Sequence, residues 1–177
     1  MNFKYYAIAF CPLFLFLGWQ TIHASQKLVG KQAPSFKGQA VFPDGTVQDF
    51  DLENYEGQNI VLYFYPMDNT PGCTKQAKIF RDNIKKMNAQ GIMIVGISYD
   101  SIKSHKAFQD KHSLPFPLVS DSKNKHAISK KYKASGLITS KRKTFLINKK
   151  GIIFKVFDKV DIQDQIEDIL ECFAQQK

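Results

Sequence analysis

The chain has 177 residues, 44% of them hydrophobic and 23% charged, with 10 Gly and 7 Pro. This is globular composition; it excludes disordered, collagen-like and low-complexity chains and suits one domain of ordinary size. Three cysteines are too few for a disulfide-dense scaffold, and a net charge of +9 dispersed along the chain reads as solvated surface with no nucleic-acid footprint.

Residues 1–25 differ from everything that follows. Lys4 and the amino terminus give a positive start, and residues 5–19 (YYAIAFCPLFLFLGW) carry no charge. This is the layout of a secretory signal peptide, with Ala24 and Ser25 as small residues for cleavage. An uncleaved N-terminal anchor is the alternative, against which Pro12 and the short apolar core count. Bulky Phe10 precedes Cys11 inside the run, so lipidation of Cys11 is rejected. Export to a bacterial periplasm or secretion is expected, where disulfides can persist, with membrane attachment only if the leader stays. Loss of Lys4 reduces 25 Lys and Arg to 24 against 16 Asp and Glu, a net charge of +8. Residues 26–177 then form one domain without a further run of 18 apolar residues.

Within that body, 38–42 and 46–50 flank Pro43-Asp44-Gly45 and predict a hairpin. Residues 60–65 (IVLYFY) form a continuous apolar run, the pattern of a strand buried on both faces. Ala77, Phe80, Ile84 and Met87 recur at helical spacing, so a helix is predicted from near Cys73 to about Asn88, ending at Gly91. A strand follows over 92–97, then helices over 101–112 and near 124–132. Residues 144–147 and 152–157 predict a closing hairpin through Lys149-Lys150-Gly151. Ile162, Ile166, Ile169, Leu170 and Phe173 mark a last helix, with Asp161 placed to cap it. Strands alternating with helices predict an α/β domain with a central mixed sheet flanked by helices.

The segment Pro66-Met67-Asp68-Asn69-Thr70-Pro71-Gly72-Cys73-Thr74 leaves a buried strand and delivers a cysteine into the first turn of a helix. Unpaired N–H groups and the helix dipole at such a position stabilise a thiolate, the reactive form of cysteine. A lone cysteine is more often a small buried apolar residue, but the Pro-Gly turn predicts an exposed mouth for Cys73. From residue type alone, Thr70 reads equally as a turn or cap residue, and Arg142, between Lys141 and Lys143, as a solvated basic patch. His105, His112 and His126 show no metal-site spacing and are assigned to solvated helix faces. Without Cys-x-x-Cys, a dithiol oxidoreductase is disfavoured.

The string VLYFYPMDNTPGCT resembles the active-site signature of the peroxiredoxins, and its Thr-Pro-Gly-Cys-Thr form is similar to the bacterioferritin comigratory protein (PrxQ) subfamily. Residues 96–101 (GISYDS), 114–121 (LPFPLVSD) and 142–147 (RKTFLI) are similar to subfamily segments in the same order, so the likeness runs from about Leu28 to the C-terminus. The resemblance implies a thioredoxin-like fold of peroxiredoxin type. It also implies a thiol-dependent peroxidase that reduces hydrogen peroxide and organic hydroperoxides, with no cofactor beyond an external reductant, thioredoxin or a small thiol. Carried over by position, Cys73 is the peroxidatic nucleophile, Thr70 orients the peroxide, Arg142 stands beside both, and Pro66 shapes and shields the pocket. The departure is at position 78, where many members carry a resolving cysteine and this chain has lysine. Cys172 is then either a packed apolar residue or the resolving thiol, within one chain or across a homodimer. A module without turnover, serving as chaperone or peroxide sensor, and a thiol–disulfide exchanger are the competing classes.

Overall fold

The computed structural model describes residues 24–123 and 125–176; the leader, apart from its last two residues, lies outside them. Seven strands, β1 (Lys37–Val41), β2 (Val47–Asp51), β3 (Asn59–Phe64), β4 (Ile92–Ser98), β5 (Leu118–Ser120), β6 (Lys143–Ile147) and β7 (Ile153–Phe157), form one sheet in the order β2-β1-β5-β4-β3-β6-β7. β3 and β4 are parallel, as are β4 and β5, and the other neighbours are antiparallel. The helices are α1 (Pro71–Asp82), α2 (Ile84–Ala89), α3 (Ile102–His112), α4 (Ala127–Lys131) and α5 (Gln165–Ala174). The expected mixed sheet flanked by helices is therefore present.

β3 explains why there are two cores. Alternate side chains of a strand point to opposite faces, so Ile60, Leu62 and Phe64 join one cluster with Phe36, Phe50, Tyr132 and Phe145. Val61, Tyr63 and Tyr65 join the other with Phe80, Phe108, Phe116 and Ile166. Aromatic rings fill both layers, as in the contacts of Tyr63 with Tyr65 and Phe80, with centroids 5.3 and 4.9 Å apart. Gly96 on β4 makes room for the Tyr63 ring. A Cβ there would lie 2.8 Å from Tyr63 Cζ, Tyr63 Oη and Leu118 Cδ2.

Three boundaries differ from the sequence pattern. The helix expected over 73–88 is broken at Asn83 (φ −106°, ψ 9°), whose side-chain amide donates to the Ile79 carbonyl 3.0 Å away and competes with the helix ladder. Asp161 does not cap the last helix. Its carboxylate accepts from the Gln163 amide at 2.9 Å in a separate turn, and α5 begins at Gln165. The helix near 124–132 is confined to 127–131, and the three-residue β5 carries too short an apolar run to be read as a strand beforehand.

The carboxyl ends of β3 and β4 and the amino end of β6 lie at one end of the sheet, since Phe64 pairs with both Ile97 and Lys143. The chain enters the domain there too. The Ser25 hydroxyl contacts Asp158, just past β7, and Lys143. From Ser25 the chain runs back along β7: Gly30 N donates to Ile153 O at 2.7 Å, Ile153 N to Lys31 O at 2.9 Å, and Ala33 N to Gly151 O at 2.8 Å.

Gly96→Ala tests the close approach to Tyr63. The added methyl forces the ring or Leu118 to shift, and a loss of about 1–3 kcal/mol of unfolding free energy by urea denaturation is expected.

Candidate active site

The segment between β3 and α1 is fixed from below. Pairing continues one residue past β3, with Tyr65 N donating to Ile97 O at 3.1 Å, and half-buried Pro66, which has no N–H to offer, follows where the ladder stops. Asp68 then anchors the loop. Its buried carboxylate accepts from Tyr65 Oη (2.8 Å), from Ser104 Oγ (2.7 Å) and from His105 Nδ1 (2.9 Å), while its backbone N–H donates to Asp100 Oδ2 (3.0 Å). Asn69 takes the left-handed backbone (φ 58°), which asparagine tolerates better than most residues. Thr70 is extended at the N-cap, but its hydroxyl donates to the Met67 carbonyl at 2.9 Å and does not cap the helix. Pro71 opens α1, and Cys73 is its third residue.

Cys73 is 2% exposed, contrary to the exposed mouth expected of it. Tyr63, Tyr65, Ala77 and Phe80 surround it within the second core cluster. The sulfur nevertheless has a charged partner, because Arg142 Nη2 donates to Cys73 Sγ at 3.3 Å. Gly72 lies beside that guanidinium; a Cβ there would sit 3.4 Å from Arg142 Nη2, in ordinary contact. Arg142 Nη1 donates in turn to Gln76 Oε1. Gln76 Nε2 reaches Gln165 Oε1 at 2.8 Å, and Gln165 Nε2 reaches Thr144 Oγ1 at 2.7 Å. Gln76 and Gln165 are both buried, so the two links beyond Arg142 are made out of reach of bulk water. Sequence reading missed both glutamines. The signal was available for Gln76, three residues after Cys73 and hence on the same helix face.

Residues 141–143 are not a uniform basic patch. Lys141 is exposed, Arg142 half-buried and turned to Cys73, and Lys143 buried against Asp158 and Ser25. Burial alone would raise the Asp158 carboxyl, but Lys143, Ser25 and Gln26 together hold it below its ordinary value. Burial, with the Asp68 charge beside them, pushes the Tyr63 and Tyr65 phenols well up, so both stay neutral. Tyr63 Oη has no hydrogen-bond partner among the described residues.

The histidines also differ from expectation. His105 is fully buried, with Nδ1 on Asp68 and Nε2 facing the Val119 carbonyl at 3.3 Å, because Asp68 comes down onto it from the β3–α1 loop. His126 stacks on Tyr99 with centroids 3.5 Å apart, and half-buried His112 meets the edge of Phe108. Cys172 is half-buried on α5 at the margin of the cluster that holds Cys73, and both thiols are free. Burial pushes the Cys172 thiol up; Asp168 and Glu171 add to this, while Lys155 opposes it.

A family model described as the AhpC/TSA family matches residues 29–156. A Coxiella burnetii chain, provisionally described as a peroxiredoxin bcp, is 37% identical over 80% of this chain and 95% of its own. The chloroplastic peroxiredoxin Q of Populus jackii is 42% identical over 69% of this chain, which spans 60% of that relative's length. A solved structure of the Xanthomonas campestris bacterioferritin comigratory protein, determined in a study of its alkyl peroxide reduction, superposes with a TM-score of 0.71. It is 28% identical and covers 80% of this chain and 91% of its own.

Two outcomes follow from the buried contacts. Gln76→Leu leaves Gln165 Oε1 and Arg142 Nη1 each without its partner, and urea denaturation should show a loss of about 1–3 kcal/mol. Because the folded Asp158 carboxyl lies below its unfolded value, its contribution is full above the ordinary aspartate pKa of about 4 and is lost as pH falls through the folded value. Stability measured on descending pH should therefore drop more steeply in the wild type than in Asp158→Asn, which lacks that titration.

Proposed function

Because the chain belongs to the AhpC/TSA family, as a peroxiredoxin of the Bcp and Q kind, we propose that Cys73 is the sulfur that attacks the hydroperoxide, with Arg142, Thr70 and Pro66 arranged around it. The protein is a thiol-dependent peroxidase and uses cysteine chemistry with an external thiol reductant, without a prosthetic group. The observation that most supports the assignment of Cys73 is the 3.3 Å contact from Arg142 Nη2 to its sulfur at the start of α1.

The Cys73 thiolate attacks one oxygen of the hydroperoxide in line, forming an S–O bond as the O–O bond breaks. The bonding pair leaves on the second oxygen, which takes up a proton and departs as water or an alcohol, and Cys73 becomes a sulfenic acid. Negative charge moves from sulfur to the leaving oxygen. The Arg142 guanidinium, held by Gln76, and the first amides of α1 are fixed donors for that charge and lower the barrier without reorganising. Arg142 keeps its charge at any working pH. Thr70 Oγ donates to Met67 O and so presents its lone pairs to the peroxide O–H, which fixes the direction of attack. Pro66, at the exit from β3, shields the pocket from water.

Lys78 is exposed on α1 and cannot resolve the sulfenic acid. An external thiol, from a thioredoxin-type protein or a small molecule, attacks the Cys73 sulfur and releases water. A second external thiol then restores the Cys73 thiol, and the two external sulfurs leave as a disulfide. The raised Cys172 thiol is a poor nucleophile at neutral pH, which favours this one-cysteine cycle. The charge-free run at 5–19 after Lys4 supports action outside the cytoplasm.

Intact mass of the reduced protein without its leader, and so without Cys11, after one equivalent of hydrogen peroxide and with no reductant present, tests the cycle. A gain of about 16 Da that Cys73→Ser abolishes is expected. A loss of about 2 Da would put Cys172 into the cycle, and no prompt change would overturn the assignment of Cys73.

A further inference from the structure

The loop over 134–141 joins α4 to Arg142. Its base is pinned: Lys141 N donates to Ala134 O at 2.7 Å, Gly136 N to Tyr99 Oη at 3.3 Å, and Ser140 Oγ to Tyr65 O at 2.5 Å. Its tip is apolar and bare, with Leu137 105% and Ile138 86% exposed. Two adjacent large aliphatic side chains held out by a fixed loop base differ from the scattered single apolar residues of ordinary surfaces. Met67, 44% exposed, lies at this same end of the sheet in the β3–α1 loop.

Two further facts bear on what covers the tip. Lys27, Lys133, Lys141 and Lys159 are exposed at this end and form no ion pair among the described residues, against exposed Asp161 and Asp164 before α5. The chain also enters the domain here, at Ser25 beside Asp158 and Lys143. The segment that precedes Ser25, with no charge from 5 to 19, is thus joined to the domain on the side that carries Leu137, Ile138 and Arg142.

We propose that this end of the domain rests on an anionic bilayer, with Leu137 and Ile138 dipping into the acyl boundary and the four lysines over lipid headgroups, so that Cys73 meets hydroperoxides of membrane lipids. The proposal rests on the peroxidase reading for its substrate and on the loop and the exposed lysines for its surface. Aliphatic side chains inserted at the interface and lysines over anionic lipid are the two attractions that hold peripheral proteins. The chemistry at Cys73 is unchanged: the lipid hydroperoxide gives up one oxygen to sulfur and leaves as the lipid alcohol.

The test uses the full chain in vesicles of phosphatidylethanolamine and phosphatidylglycerol. With Trp19→Phe removing the native tryptophan, Ile138→Trp should emit blue-shifted light that brominated phosphatidylglycerol quenches. Water-like emission would mean that the leader alone holds the membrane, and blue-shifted but unquenched emission would mean that a second copy of the chain covers the tip; either overturns the proposal. In the same vesicles, Leu137→Ser with Ile138→Ser should lower turnover of a phospholipid hydroperoxide by roughly tenfold or more and leave turnover of hydrogen peroxide unchanged. Equal turnover of the lipid substrate by both chains overturns it. The fluorescence does not depend on chemistry, so a chain that consumes neither peroxide would count against the peroxidase reading alone.

Discussion

A guanidinium 3.3 Å from a buried sulfur is the contact around which this domain is organised. A positive group brought beside an apolar cluster needs partners, and Arg142 has two: Cys73 on one nitrogen and Gln76 on another. Gln76 passes the demand to Gln165 and Thr144, which draws α1, α5 and β6 together at one point. The aromatic layer of Tyr63, Tyr65 and Phe80 keeps water out of this point, and low polarisability there strengthens each polar contact. The site is thus held by the same side chains that make the second core.

A second anchor lies under the loop. Asp68 gathers three side-chain donors, Tyr65 from just past β3 and Ser104 and His105 from α3, and its backbone N–H donates to Asp100. The loop that carries Thr70 to the start of α1 therefore has little freedom, even with Asn69 in the left-handed region. Positioning of this kind removes reorganisation at the moment of reaction, which is where electrostatic catalysis gains most.

Much of this was legible in the residues. The long apolar strands β3 and β4, both hairpins and the helix start near Cys73 follow from patterns within short windows, and the motif around Cys73 is local. What escaped reading depends on partners far away in the chain. His105 sits in a helix with a weak apolar stripe and looks solvated until Asp68, 37 positions earlier, is laid upon it. Lys143 looks like surface until Asp158 and Ser25 close over it. Gln76 and Gln165 are 89 positions apart, and nothing near either marks it as buried. Cys73 was read as exposed because of the Pro-Gly turn before it; the tyrosines that share its cluster, Tyr63 and Tyr65, lie ten and eight positions earlier, at the end of β3 and just past it. Pairing of polar groups across the fold is invisible to periodicity, which reports only which face is apolar.

The run of chain from Ser25 to Ala33 along β7 has a bearing on colloidal behaviour. β7 ends the seven-stranded order, and a terminal strand offers unpaired N–H and C=O groups to any other strand that meets it. Here Gly30, Lys31 and Ala33 occupy that side of Ile153 and Gly151, so the domain caps its own sheet. The opposite edge, β2, is guarded differently, by the charged and polar side chains of Gln48, Asp49 and Asp51. A chain that met the solvent with residues 25–33 peeled away would carry a bare strand beside Phe154 and Phe157, and the resulting species would be one that stacks with its own kind into extended sheets.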